Sequence, residues 1–231
     1  MCEDSVSAAA AKAAQLFPSD THHLHLAFAL PGILRPEKSL KGVDYKEAVE
    51  VFRVNTLGPL LLMKWFGDLL PRRGTDMSFV QANLEDGNNN DGSSNTNNKD
   101  IIKNKNTPPL LTPLNLSQHA TFLTTSARLG STTDNALGGW YTYRASKAAV
   151  NSLVKTFDLH LQTRSGPNAI AAAYHPGTVK TDFTRGFWGT VPPGQLFSAE
   201  FAAYRMLKVV EGLGAKERGR CWDWKGDEVL P

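Results

Sequence analysis

Cysteine is scarce: the 231 residues contain two, Cys2 and Cys221. They lie at opposite ends of the chain without metal-ligand spacing, which argues against a cysteine metal centre and leads us to expect reduced thiols in a cytoplasmic protein. An excess of one charge is missing too. Lys and Arg number 25 against 22 Asp and Glu, a net +3, a field too weak to imply nucleic acid or a membrane surface as partner. No apolar stretch reaches the roughly 18 residues of a membrane span; the best, TLGPLLLMKWFGDLL, is broken by Lys64 and Asp68. The N-terminal MCEDSVSAAAAKAAQLF carries acids where a secretory signal carries bases. Internal repeats are lacking, and so is any G-x-G-x-x-G or T-G-x-x-x-G-x-G turn; GLGAKERG at 212–219 fits neither spacing.

The length suits one domain spanning 1–231, and the apolar and charged fractions, 41% and 20%, are those of an ordinary globular chain. An Ala-rich helix is expected over 4–16, closed by Pro18, and a buried strand over 23–30 ending at Pro31-Gly32. Asp44 can cap a helix from Tyr45 to Leu70 that Pro71 ends. Residues 73–117 turn Asn-, Gly-, Ser- and Pro-rich and are expected to form a disordered surface insertion. A strand over 119–127 follows, then a Gly/Asn loop, a helix to residue 162, a strand of small residues in NAIAAAY, and a helix over 198–213 with Phe201, Tyr204 and Leu207 on one stripe. The short strand RCWDW comes last, its tryptophans expected in the core. Strands alternating with helices predict an α/β fold whose parallel sheet is covered on both faces.

The stretch GGWYTYRASKAAVNSL, 138–153, carries the chemistry. Residues four apart share a helix face, so Tyr143 meets Lys147 and Tyr141 does not. A phenol titrates near 10, and an adjacent ammonium favours phenolate, giving a proton donor and acceptor for a carbonyl or an alcohol. Val150, Leu153, Val154, Phe157 and Leu161 form the stripe that would anchor this face. Y-x-x-x-K alone is weak, since a half-buried tyrosine beside a solvated lysine gives the same pattern. Pro59 has no N–H for the carbonyl four residues back, so NTLGP should leave the Asn55 carbonyl open. HPGTVKTDF stands at the carboxyl end of a strand, where open α/β sheets bind ligands.

Taken in order, ATFLTTSARLGS, TTDNALGGW and YTYRASKAAVNSL resemble the short-chain dehydrogenase/reductase superfamily, in its C-factor-like or carbonyl-reductase-like branch. The resemblance runs from about residue 4 to the C-terminus apart from the insertion, and implies a partial Rossmann-like, doubly wound parallel sheet. It also implies an oxidoreductase that interconverts a small-molecule carbonyl and alcohol with NADP or NAD, NADP being the lean. Tyr143 is then the acid/base and Tyr141 a packing residue. Lys147 lowers the phenol's pKa and binds the nicotinamide ribose. A strand-end serine polarises the carbonyl, and the Asn55 carbonyl holds a water linking the lysine to solvent. Pro176 and Gly177 form a turn, while Thr178, Val179 and Thr181 match positions touching the nicotinamide amide or the phosphates. The family often self-associates through the helices matching 45–70 and 141–162, so a homo-oligomer is expected.

The chain also departs from that pattern. Where the branch carries two serines before R-x-G-S, this chain has Ser126 and Ala127, so the carbonyl donor is Ser126 turned inward, Ser131 as substitute, or missing. The first strands and the glycine-rich turn are absent, leaving the strand at 23–30 without its outer neighbour. N-N-A-G is altered to Ala29-Leu30-Pro31-Gly32, where only Gly32 remains to approach the adenine ribose. Two other readings therefore stand beside the enzyme: an inactive truncated homologue acting as an interaction or regulatory module, and an incomplete gene model. Phe183, Phe187, Trp188 and Pro192-Pro193 suggest an apolar substrate wall or ordinary packing. His22, His23 and His25 have no local acidic or cysteine partner and read as a strand-entry cluster rather than a zinc site.

Overall fold

The computed structural model describes residues 2–78 and 115–231. The expected insertion at 73–117 lies mostly outside them. Its described ends are tied down: Asn168 Nδ2 donates to the carbonyls of Arg72 and Thr75 at 3.0 and 3.1 Å, and Asn115 N donates to Glu211 Oε1 at 3.0 Å.

Five strands form the main sheet: β1 (Leu26–Ala29), β2 (Ala120–Thr125), β3 (Ala169–His175), β6 (Cys221–Asp223) and β7 (Glu228–Val229). They lie in the order β1-β2-β3-β6-β7, with β1 at one edge. The first four are parallel and β7 runs antiparallel to β6. The reversal follows from its connection: four residues separate β6 from β7, with Gly226 at φ 94° in the turn, too few for the crossover that a parallel neighbour requires. A small parallel pair, β4 (Thr178–Val179) with β5 (Leu196–Phe197), stands beside the sheet.

Along β3, Ala169, Ala171 and Ala173 face one layer while Ile170, Ala172 and Tyr174 face the other, the period-two alternation of a strand buried on both sides. The first set packs with Phe122 against Val150, Val154 and Leu161 of α4 (Tyr141–Arg164) and Met63 of α3 (Gly58–Phe66). The second packs with Leu123 against Val209, Val210 and Leu213 at the end of α5 (Ala199–Gly212). The buried edge of α5 thus runs through Ala202, Val209 and Val210 rather than the expected Phe201, Tyr204 and Leu207, which stay half-buried. Trp222 and Trp224 are likewise half-buried. Leu153 and Phe157 pad the rim of the α4 contact.

α1 (Glu3–Leu16) ends before Pro18 as expected. The expected helix 45–70 is divided: α2 (Tyr45–Phe52), capped by Asp44 Oδ1 accepting from Glu47 N at 2.9 Å, passes into a π turn over Arg53–Leu57 and then α3. Pro59 explains the interruption, because its missing N–H breaks the i to i+4 ladder opposite Asn55.

Candidate active site

Tyr143 and Lys147, one turn apart on α4, are both buried, at 6% and 2% exposure. They line a cavity of about 800 Å³ over the carboxyl ends of β1, β2 and β3, where Gly32, Thr125 and Pro176 also open. Lys147 Nζ donates to the Thr125 carbonyl at 2.9 Å and stands 5.8 Å from the centre of the Tyr143 ring. Burial pushes the ammonium down to about 8. It also pushes the Tyr143 phenol above its ordinary value. The lowering of the phenol expected from Lys147 is not found: burial alone sets the direction, and the ammonium is aimed at the Thr125 carbonyl.

Asn55 is fully buried, and its side chain is a clamp. Its Oδ1 accepts from Ile33 N at 2.7 Å, and its Nδ2 donates to Ile33 O at 2.9 Å and to Ser146 Oγ at 3.2 Å. The π turn thus ties the loop after β1 to α4. Gly32 lies in that loop, and a Cβ there would come within 3.9 Å of Lys147 Nζ, 3.8 Å of Asn55 Oδ1 and 3.7 Å of Phe183 Cε2. Gly177 adopts φ 73°, and a Cβ there would stand 2.6 Å from Phe197 Cε2, so glycine is required at this turn. Pro176, Thr178, Val179 and Thr181 continue the wall.

The two serines are placed differently. Ser126 lines the cavity with Tyr143 and Lys147, but its Oγ donates to Asn151 Oδ1 at 2.6 Å, so its hydroxyl proton is directed to α4 rather than into the cavity. Ser131 is buried away from the cavity, its Oγ accepting from Asp134 N at 2.9 Å.

The aromatic wall forms in part. Phe187 packs on Trp140 at 4.9 Å between ring centres, and Trp140 and Phe183 stand 6.1 and 6.4 Å from the Tyr143 ring. Pro192 joins this lining, whereas Trp188 turns away, its Nε1 donating to Thr184 Oγ1 and its ring lying under Lys180. Tyr141 is exposed, outside the site. His23 Nε2 and His25 Nδ1 lie 3.2 Å apart at the entry to β1, far from the cavity lining. No group of three His, Cys, Asp or Glu side chains suited to a metal occurs among the described residues.

Three contributors were not legible in advance. His175 lines the cavity with its Nδ1 buried and without a hydrogen-bond partner, and burial brings the imidazole down to about 4, so it is neutral near pH 7. Its position in HPG was the available signal. Trp140 adopts φ 53°, the sole non-glycine residue with positive φ among the described residues. Glu37, buried beside Thr142, carries no sequence signal, since the two are separated by 105 positions.

No protein-family model matches the chain. It is 34% identical over 104 residues to the C-signal protein of Myxococcus xanthus, covering 45% of this chain and 57% of that protein. It is 36% identical over 97 residues to 1-hydroxy-2-glutathionyl-2-methyl-3-butene dehydrogenase of Rhodococcus sp. (strain AD45), covering 41% of this chain and 39% of the dehydrogenase. The matches thus span about half or less of each curated relative. In fold the whole chain matches 74% of the NADPH-bound carbonyl reductase from chicken fatty liver, with a TM-score of 0.68 and 24% identity. Sequence relatives and fold together support the short-chain dehydrogenase/reductase superfamily, in its carbonyl-reductase-like branch, as the family this chain resembles.

Proposed function

We propose that the cavity interconverts a small-molecule carbonyl and its alcohol with a nicotinamide cofactor. One observation carries the reading: Tyr143 and Lys147 share a single cavity with Gly32 and with the Pro176–Thr181 wall. The nicotinamide–ribose half fits these residues. Gly32 leaves open the space a Cβ would fill beside Lys147 Nζ and Asn55 Oδ1, and Lys147 offers an ammonium to ribose hydroxyls. Thr178, Val179 and Thr181 border the amide side. No glycine-rich turn for a pyrophosphate occurs among the described residues. The relation to an NADPH-bound reductase favours NADP over NAD.

The reduced nicotinamide, when bound, supplies a hydride to the carbonyl carbon. Tyr143 delivers the proton to the carbonyl oxygen, and in the reverse direction receives it from the alcohol. A phenol held above its ordinary pKa is fully protonated at neutral pH and so is ready as the acid. Lys147 gives a proton to the phenolate left behind, restoring the phenol, and then takes one from solvent reaching the turn at Asn55. Ser126 takes no part in polarising the carbonyl in this arrangement, because its hydroxyl is held by Asn151. Trp140, Phe187 and Leu137 offer the substrate an apolar face.

Calorimetric titration of the full chain with NADPH and NADH tests the cofactor. Turnover of a panel of aldehydes and ketones then tests the chemistry. Replacing Tyr143→Phe should cut kcat by about 10² or more. Cofactor affinity weaker than millimolar, or turnover unaffected by the replacement, rejects the proposal.

A further inference from the structure

The helix that carries Tyr143 and Lys147 begins without a cap of its own. Its N-cap residue is Trp140, left-handed at φ 53° and ψ 43°, with no side-chain cap hydrogen bond. An indole has a donor and no acceptor, whereas the first turn of a helix presents N–H groups that need acceptors. The acceptor comes from elsewhere. Glu37, in the loop between β1 and α2, is buried against this helix end. Its Oε1 accepts the Thr142 hydroxyl, its Oε2 accepts Thr142 N at 3.4 Å, and its backbone carbonyl accepts Trp140 N at 2.8 Å.

No Lys, Arg or His is paired with this carboxylate among the described residues. A buried charge without a counter-ion is costly unless dipoles receive it, and the positive end of α4 is such a dipole. The loop is itself fixed, because Asn55 holds Ile33 through both its N–H and its carbonyl. Glu37 therefore grips two residues on the N-terminal side of Tyr143: Thr142 directly before it, and Trp140, bonded through Glu37's backbone carbonyl, whose indole stands edge-on to the phenol at 6.1 Å and 75°.

We propose that Glu37 is a positioning residue for Tyr143, serving as the N-terminal cap of α4 from a distant loop and holding Trp140 in its left-handed conformation. This rests on Tyr143 being the proton donor. The cap fixes the phenol's height above the cavity floor and the angle of the wall beside it, so its loss displaces the reacting group while leaving Lys147, one turn further in, where it is.

The test combines kinetics with a readout that needs no turnover. Glu37→Ala and Glu37→Gln are prepared in the full chain, and amide hydrogen exchange is measured over 138–150 with and without NADPH. Glu37→Ala should speed exchange at 140–143 about tenfold or more and leave 147–150 unchanged, as loss of a cap frays only the first turn. It should lower kcat by about 10- to 100-fold with KM and cofactor affinity within about threefold. Glu37→Gln keeps an acceptor for Thr142 and should restore most of both. Unchanged exchange at 140–143 in Glu37→Ala overturns the cap, whatever the kinetics show. Faster exchange with kcat unchanged overturns the positioning role. Should the wild-type chain prove inactive with every carbonyl, the proton-donor reading fails, and the positioning role fails with it, while the exchange data still decide the cap. If Glu37→Ala does not fold, Thr142→Val, which removes the hydroxyl contact alone, is measured the same way: faster exchange at 140–143 with lowered kcat supports the positioning role, and wild-type values overturn it.

Discussion

Lys147 gives the sharpest test of whether this site is kept for chemistry rather than for stability. Its ammonium is 2% exposed with a hydrogen bond to the Thr125 carbonyl, and burial brings it from 10.5 down to about 8. A folded-state value below the unfolded one means that between pH 8 and 10.5 the unfolded chain holds more protons, so this group's contribution to stability rises with pH across that window. Below pH 8 the penalty is present in full, about 3 kcal/mol at roughly 1.4 kcal/mol per pH unit. Lys147→Met removes the charge at similar volume and gives up one hydrogen bond, about 1 kcal/mol. The variant should therefore be more stable at pH 7 by about 2 kcal/mol, or roughly 4–8 °C in Tm for a chain of this size. Its advantage should shrink from pH 8 upward, reach zero at pH ~9.5, and by about 10.5 give way to a deficit of about 1 kcal/mol from the lost hydrogen bond. Cys221, whose thiol burial pushes up from 9.0 to about 12, lowers stability above pH 9 in both proteins; the Lys147 ammonium and the Cys221 thiolate attract each other, so its share does not cancel there, and the part of the difference below pH 9 reads Lys147 alone. Thermal unfolding of the two proteins from pH 6.5 to 10.5 measures that difference directly. A variant less stable than wild type at pH 7, or a difference that does not move with pH, refutes the account of a buried ammonium held against its desolvation.

Two more outcomes discriminate between residues of the site. Ser126→Ala should cost about 1–2 kcal/mol of stability, read by urea unfolding, through loss of the bond to Asn151, with kcat within about twofold of wild type; a fall of about 10² would mean that the hydroxyl turns to the substrate after all. Phe183→Ala clears a ring that lies beside Gly32 and 6.4 Å from the Tyr143 ring, and should tighten binding of nicotinamide mononucleotide about three- to tenfold by calorimetry. Weaker binding would make Phe183 part of the seat.

What was legible in the sequence is what period and punctuation encode. Asp44 caps its helix as read, and Ser198, where the last helix was expected to begin, caps it with Oγ accepting from Phe201 N at 3.1 Å, because an N-cap is a contact across three residues. Pro59 announced the interruption at Asn55 for the same reason, since a missing N–H acts on its own turn. The i, i+4 spacing placed Tyr143 and Lys147 in one cavity. It could not reveal that burial would raise the phenol, because desolvation depends on what the rest of the chain stacks over it. The Ser126–Asn151 and Glu37–Thr142 contacts join residues 25 and 105 positions apart and leave no periodic trace. On α5 the stripe was read through the large residues, yet Ala202 is the buried residue of the first turns, because the close face of a helix against a sheet selects small side chains.

The two walls of the cavity are held by different means, and this decides which of them adapts to a ligand. On one side Asn55 bonds to Ile33 and Ser146, Glu37 bonds to Trp140 and Thr142, and α4 is fixed along Val150, Val154 and Leu161, each at most 1% exposed. Moving Tyr143 relative to Gly32 would break several buried hydrogen bonds at once. On the other side the 3₁₀ segment Asp182–Thr190 has no buried residue, is anchored by the Thr181 capping box, and meets the site through Phe183 and Phe187. Two ring contacts of roughly 1 kcal/mol each can be exchanged for contacts with a bound molecule. The Tyr143 wall is therefore preorganised and the Phe183 wall adjusts, so substitutions along 182–190 should change which substrates bind while those at Asn55 or Glu37 change how fast a bound one reacts.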